Sequence, residues 1–374
     1  MLAEVPSPCY IIDERAIEEN CQILGRIQDA TGCKILMALK GFTVPDLFPL
    51  IGRYLQGTCA SGLYEARLGK EEFRKEVHAF APAYDDLEFR GLLELSDHIV
   101  FNSLAQWERL RPLVEECPRE ISCGIRINPE YSEISIGLWD PCARYSRFGV
   151  KADDLKSVPD GIEGLHFHAL CQQDSVSLEK LLKVVEEKFG RHLSKVEWVN
   201  FGGGQLITAP DYDVDRLCRV ISDFRAEHGV DVYMEPGEAV AFDAGVLMAT
   251  VLDIVHNEMD IAILDISAWA HVQDVLMTSY KLEAVGGDEP GKLKHTYRLA
   301  SRSCLSGDIL GDFSFEEPLQ RGSKVMFSDL ASYSVVSNNS FNGIPLPAIV
   351  VLTGSDEVRI VRRPSYEDFA SRLS

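Results

Sequence analysis

The residues of this chain whose types could do chemistry stand where short apolar runs end. Lys40 follows the run Ile35-Leu36-Met37-Ala38-Leu39 and precedes Gly41. A lysine there is either a solvated boundary residue or a desolvated amine whose lowered pKa suits Schiff-base chemistry. Gly202-Gly203-Gly204 ends the run Trp198-Val199-Asn200-Phe201. Three glycines make a tight turn, and they also let backbone N–H groups come close to an anion, as phosphate sites require. No Gly-Lys-Ser/Thr follows, which excludes a nucleoside-triphosphate loop. His166 and His168, two apart on one run, share a face. No carboxylate or cysteine set accompanies them, so no metal is expected, and core packing or stacking on a flat ring remains. Glu235, in Glu235-Pro236-Gly237-Glu238, either closes a capped turn or keeps a pyridine nitrogen protonated. Arg126 and the Cys59-Ala60-Ser61 segment hold equivalent run ends. Further on, Ser303-Cys304-Leu305-Ser306-Gly307-Asp308 puts a thiol and a carboxylate in one turn-rich loop. Ser332-Tyr333-Ser334, with Phe341-Asn342-Gly343, adds a tyrosine able to donate to a phosphate.

The elements that must position these residues alternate. Strand-like runs fall at 34–39, 57–60, 77–80, 98–101, 121–127, 163–168, 196–201 and 231–235. Amphipathic segments separate them; in 175–189, Leu178, Leu181, Leu182, Val185 and Phe189 recur at helical spacing behind the candidate caps Asp174 and Ser175. Eight strands alternating with helices predict a (β/α)8 barrel, with a doubly wound sheet as the competitor. In a barrel, the carboxyl ends of the strands carry function, and the run ends named above are those ends. After Glu235 the pattern changes to strands joined by turns, at 246–255, 261–266, 296–300, 324–328, 348–352 and 358–362. This predicts a second, mainly β domain that the run Cys9–Ile12 could join. The expected division is a barrel over 14–240 and a β domain from 1–13 with 241–374.

With 37 basic and 58 acidic residues the net charge is −21, which argues against nucleic acid and allows a cationic substrate drawn in by the field. The most apolar stretches are broken by Asp253, or by Pro345 and Pro347, and neither reaches the ~18 apolar residues of a membrane helix. The first residues lack a basic segment before an apolar core, so no secretory signal is expected. Ten cysteines without a C-x-x-C pair read as reduced thiols in a cytoplasmic protein.

In combination these motifs resemble the fold-type III pyridoxal-phosphate decarboxylases, which include the ornithine and diaminopimelate decarboxylases. The resemblance spans essentially the whole chain and is closer to the carboxynorspermidine/carboxyspermidine decarboxylase family. It rests on Ala38-Leu39-Lys40-Gly41-Phe42, Phe101-Asn102-Ser103-Leu104-Ala105-Gln106, Asp140-Pro141-Cys142-Ala143 with Ser146-Arg147, Leu165-His166-Phe167-His168-Ala169-Leu170-Cys171, Glu235-Pro236-Gly237-Glu238-Ala239 and Cys304-Leu305-Ser306-Gly307-Asp308.

The resemblance implies pyridoxal 5'-phosphate as cofactor, bound to Lys40 as a Schiff base. His168 would stack on its ring, Glu235 would pair with the ring nitrogen, and Arg126 would lie near the ring. Gly202, Gly203, Gly204 and Tyr333 would hold the phosphate. Cys304, supplied across a homodimer interface, would return a proton to the product, and Arg147, Glu238, His271, Asp274 and Asp308 would face the substrate. The implied reaction is decarboxylation of an amino acid with an amine-bearing side chain, carboxynorspermidine or carboxyspermidine first, in polyamine (spermidine) biosynthesis. A paralogue acting on another amino-acid derivative is the alternative, ahead of a racemase or a non-catalytic cofactor-binding protein.

The chain departs from the family pattern near the implied substrate. Gln172 and Gln205 replace a usual glutamate and histidine. Val272-Gln273 and Met277-Thr278-Ser279 alter the His-Met-Pro-Asp segment and its sequel, and Ser332 and Ser337 replace a histidine and a lysine around Tyr333.

Overall fold

The computed structural model describes residues 5–278 and 280–373. Residues 1–4, 279 and 374, to which the sequence reading also gave places, lie outside the described residues. The chain divides into two compact units, Glu18–Val240 and a second made of Met1–Ile17 with Ala241–Ser374. Its first strand, β1 (Cys9–Asp13), belongs to the second unit.

The first unit is a closed parallel barrel. Its strands are β2 (Lys34–Ala38), β3 (Gly57–Ala60), β4 (Glu76–Phe80), β5 (His98–Phe101), β6 (Ser122–Asn128), β8 (Gly164–His166), β9 (Trp198–Asn200) and β10 (Asp231–Met234), with a two-residue β7 (Val150–Lys151) beside β6. The hydrogen-bonded order is β5-β4-β3-β2-β10-β9-β8-β6, and a β5–β6 pairing closes the ring. Closure rules out the doubly wound alternative. Strands buried on both faces read as unbroken apolar runs. Ile35, Leu36 and Met37 of β2 are accordingly fully buried.

The intervening helices start where a side chain can take up their orphan N–H groups. Asp85, Ser103, Asp174 and Asp213 each do so. Helix Ser175–Leu193 buries Leu178, Leu181, Leu182, Val185 and Phe189 along one face. At the amino ends of the strands, the rings of His78 and His98 stack with centroids 3.9 Å apart, among Trp198 and Tyr233.

The second unit is a nine-stranded sheet in the order β13-β15-β14-β12-β11-β1-β17-β18, with β16 also on β11. These are β11 (Gly245–Asn257), β12 (Met259–Leu264), β13 (Gly287–Asp288), β14 (His295–Ser301), β15 (Ile309–Phe315), β16 (Lys324–Phe327), β17 (Ala348–Leu352) and β18 (Val358–Arg362). β1 sits inside this sheet, antiparallel to β11 and parallel to β17. β15 and β13 were not legible in the sequence. In β15, Gly311 and Asp312 interrupt the alternation, and a register shift lies opposite, between Leu299 and Ala300 of β14. Among the described residues, no helix is long and apolar enough to cross a membrane.

Candidate active site

In the first unit, the carboxyl ends of the barrel strands open on a cavity of about 580 Å³, lined by Lys40, Arg126, Arg147, His166, His168 and Glu235 among others. Residues scattered over two hundred positions meet there because parallel strands in a closed ring end on one rim.

Lys40 lies in the turn after β2 and is exposed to this cavity. That turn is closed by Gly41 N–H and Phe42 N–H donating to the Ala38 carbonyl oxygen, and Ala38 N–H in turn donates to Pro236 O. The lysine turn and the Glu235-Pro236 turn are thus tied together.

Glu235 accepts from Asn200 Nδ2 at 2.7 Å on Oε1, while its Oε2 lies 3.4 Å from His166 Nε2. Burial opposes its ionisation, but His166, with His78 and Lys40, outweighs burial and holds the carboxyl well below the usual range. Burial lowers the pKa of His166 itself, so the ring is neutral and donates to Glu235.

His168 Nδ1 accepts Gly203 N–H at 2.9 Å, which places the ring proton on Nε2. Burial, then Lys40 and Arg126, keep its pKa far below the ordinary histidine value. The ring is a neutral, fixed plane facing the cavity.

Arg126 packs into the corner of two tilted rings: its guanidinium carbon lies 4.6 Å from the Phe80 ring centroid and 4.4 Å from that of Phe148, and the two centroids are 6.5 Å apart. It donates to the His168 carbonyl oxygen at 3.1 Å, and burial lowers its pKa to about 10. Arg147 also stacks on Phe148, its guanidinium carbon 4.3 Å from the ring centroid. The Phe101–Gln106 motif holds this segment in place, because Asn102 donates to Arg147 O at 2.8 Å and accepts from Gly149 N–H at 2.8 Å.

In the glycine turn, a Cβ at Gly203 would come within 2.2 Å of Glu235 O, and one at Gly204, where φ is +89°, within 1.9 Å of Leu170 O. The sequence expectation treated the three glycines as equivalent anion donors. Two of their N–H groups are engaged inward: Gly202 donates to Asn200 Oδ1 at 2.8 Å and Gly203 to His168. Beside the turn, Gln205 accepts from Tyr212 OH at 2.5 Å, and Gln172 donates to Glu238 Oε1 at 2.9 Å.

The other expected residues belong to the second unit. Asp308 is buried there and accepts from Ser267 Oγ at 2.6 Å, Ser303 Oγ at 2.5 Å and Trp269 N–H at 3.1 Å. His271 is buried with Nδ1 accepting from Ser267 N–H at 3.3 Å, and burial lowers its pKa to about 4. Asp274 starts the helix Asp274–Met277 and is exposed. Cys304 is the one exposed cysteine of the ten, its N–H donating to Asn342 Oδ1 at 2.9 Å. Tyr333, 40% exposed, has a φ of +51° at the head of the helix Ser334–Ser337. Of the altered segment 277–279, Ser279 lies outside the described residues.

Sequence reasoning missed Asn200, Phe80 and Phe148. A lone amide inside the apolar run Trp198–Phe201 was the available signal for the first; the two phenylalanines carry none.

The donor set fits pyridoxal phosphate: a lysine amine facing the cavity, an ionised buried carboxylate, a neutral flat imidazole and a buried cation with no ion pair among the described residues. The sequence pattern of the family described as "Pyridoxal-dependent decarboxylase, C-terminal sheet domain" matches residues 9–331. The chain is 40% identical to the carboxynorspermidine/carboxyspermidine decarboxylase of Campylobacter jejuni, over 99% of each chain. It is 41% identical to the carboxyaminopropylagmatine decarboxylase of a Synechocystis species, over 100% of this chain and 96% of that one. The crystal structure of carboxynorspermidine decarboxylase from Campylobacter jejuni, complexed with norspermidine, superimposes with a TM-score of 0.92 at 39% identity, covering 98% of this chain and 100% of that chain. Similarity of this extent takes in the β sheet as well as the barrel, and the chain therefore belongs to the pyridoxal-dependent decarboxylases, carboxy-lyases that work with pyridoxal phosphate.

Proposed function

We propose that this chain decarboxylates a carboxylated polyamine, carboxynorspermidine or carboxyspermidine, in polyamine biosynthesis. The observation that carries the reading is the end-to-end similarity to an enzyme of that name, with a TM-score of 0.92 to its norspermidine complex. Carboxyaminopropylagmatine is the second reading, because the Synechocystis relative is as similar over the same length.

In this reading, the bound cofactor supplies an electron sink for the pair left when carbon dioxide departs. Lys40 Nζ would hold the cofactor covalently and is the amine whose place the substrate amine would take. Glu235 keeps a proton on the ring nitrogen, and His168 orients the ring from one face. The turn Gly202, Gly203 and Gly204 holds the phosphate together with Tyr333, with Gly204 contributing an N–H beside those of Gly202 and Gly203, which also brace Asn200 and His168. Cys304 Sγ delivers the proton that replaces the carboxyl group. Glu238, held by Gln172, and Arg147 orient the substrate at the barrel rim, while Asp274, Asp308 and His271 serve its distal end. Asp308, already accepting from three donors, orders the loop that carries Cys304. The active unit is a homodimer in which the second unit of one subunit completes the site of the other.

The deciding assay compares kcat/KM for carbon dioxide release from carboxynorspermidine, carboxyspermidine, carboxyaminopropylagmatine, diaminopimelate and ornithine at one salt concentration. The expected order puts the carboxylated triamines first. Preference for the agmatine derivative selects the second reading, and turnover of diaminopimelate or ornithine alone removes both.

A further inference from the structure

Asn200 ends β9 fully buried, two residues before the glycine turn. Its carboxamide bonds both to Glu235, which lines the cavity, and to the glycine turn. A backbone N–H is always a donor, so the amide oxygen must be the atom that accepts from Gly202 N–H at 2.8 Å. The amide nitrogen is then the atom that donates to Glu235 Oε1 at 2.7 Å. Glu235 N–H itself donates back to Gly202 O at 2.8 Å. Asn200, Gly202 and Glu235 thus form a closed triangle of three hydrogen bonds. His166, also buried, stands at the other carboxylate oxygen, with its Nδ1 unpartnered among the described residues.

We propose that Asn200 is a positioning residue: with His166 it fixes Glu235 in one orientation and charge state, and it couples that carboxylate to the glycine turn, so that the ring-nitrogen end and the phosphate end of the cofactor are gripped by one connected unit. The inference rests on the reading of Glu235 as the partner of the ring nitrogen. Two properties of the carboxamide carry it. It is neutral, so it adds no charge beside Glu235. It also presents a donor on one arm and an acceptor on the other; an ionised carboxylate has no donor, and a hydroxyl carries both functions on a single atom rather than on two arms. The charged and titratable groups around Glu235 come from every neighbouring strand: Lys40 after β2, Cys59 on β3, His78 on β4, Arg126 on β6, and His166 and His168 from β8 onward.

The test uses full-length protein, stripped of cofactor and reloaded with pyridoxal phosphate alone. Asn200→Asp is isosteric and keeps the acceptor for Gly202 N–H, but it turns the other arm into an oxygen facing Glu235 Oε1. Asn200→Ala removes both bonds. His166→Gln keeps an N–H donor near Oε2. The readouts are the dissociation constant for pyridoxal phosphate, followed by fluorescence, and the absorption spectrum of the bound cofactor against pH.

Loss of a hydrogen bond to a buried charge predicts affinity reduced about tenfold or more for Asn200→Asp and Asn200→Ala. Asn200→Asp should also move the absorption band, because two carboxylates in contact share a proton and weaken the hold on the ring nitrogen. His166→Gln should retain the wild-type spectrum. Wild-type spectra and affinities within about twofold for both Asn200 variants overturn the assignment, since a lost charged hydrogen bond is worth more than that. If circular dichroism finds Asn200→Ala unfolded, Asn200→Asp decides alone. Wild-type protein that fails to bind pyridoxal phosphate overturns the reading of the site itself, whereas wild type that binds it without turning over polyamines leaves this assignment standing.

Discussion

At the scale of single residues, the site is a set of charges whose states are imposed by their neighbours. Glu235 stays ionised despite burial because two donors meet its two oxygens. His168 stays neutral because burial disfavours a second proton, Lys40 and Arg126 repel it, and Gly203 N–H occupies Nδ1. Arg126 keeps its charge against two aromatic rings rather than against a carboxylate. Lys40 is the amine that opens on the same cavity. Borohydride reduction of the protein loaded with pyridoxal phosphate, followed by peptide mass mapping, is therefore expected to tag Lys40. A tag on any other lysine removes Lys40 from its assigned role. By the same logic Phe148→Ala takes away one of the two ring contacts of Arg126, which is worth roughly 1 kcal/mol when partly desolvated. It is expected to weaken cofactor binding severalfold with the fold intact, read by fluorescence titration and circular dichroism.

At the scale of elements, the two ends of the barrel do different work. The glycine turn after β9 exists because another backbone passes within van der Waals reach. Gly203→Ala, with its Cβ 2.2 Å from Glu235 O, must push the Glu235 turn away. The expected outcome is loss of most cofactor binding with circular dichroism unchanged. At the amino ends of the strands lies an acid-sensitive floor. Burial drives the His98 pKa down to about 2, from an ordinary 6.5. Glu76 is half-buried, and its hydrogen bond and charge contact with His78 outweigh that partial burial and bring it to about 2, from 4.5. Both folded values lie below the unfolded ones, so the unfolded chain takes up the protons first. The stabilisation is complete above about pH 6.5 and is lost as pH falls, His98 contributing from 6.5 downward and Glu76 from 4.5 downward. A melting temperature that declines from pH 7 to pH 4, with a shallower decline in His98→Phe, is the expected result; an unchanged slope in that variant would assign the acid sensitivity elsewhere.

At the scale of the whole molecule, the chain builds its two units in an interleaved order. The β sheet takes its internal strand β1 from the start of the chain and most of the rest from the end, so the barrel is an insertion between them. Lys40 and Glu235 are on the barrel; Cys304 and Tyr333 are on the sheet unit. If two subunits complete each site, mixing inactive Lys40→Ala and Cys304→Ala proteins under conditions of subunit exchange should restore part of the activity, because one kind of mixed site is intact. Demonstrated exchange with zero activity would exclude shared sites.

Much of this was legible in the sequence because it depends on local pattern. Unbroken apolar runs marked the barrel strands, helical spacing marked Ser175–Leu193, and the run ends brought Lys40, Arg126, His168 and Glu235 forward as one set. What escaped depends on packing between elements far apart in sequence. β15 stayed hidden because Gly311 and Asp312 break its alternation, and only pairing with β14 makes it a strand. The glycine turn was visible as three glycines, but that Gly203 N–H donates to His168, which follows β8, was decided by the packing of neighbouring strands. Phe80 and Phe148, with no chemistry of their own, acquired a role only when the fold brought both rings against the Arg126 guanidinium. Sequence determined which residue types could take part, since period and composition are local properties of a chain. Tertiary structure decided which of their atoms are engaged and which are charged, since both depend on neighbours that only the fold brings within hydrogen-bonding distance.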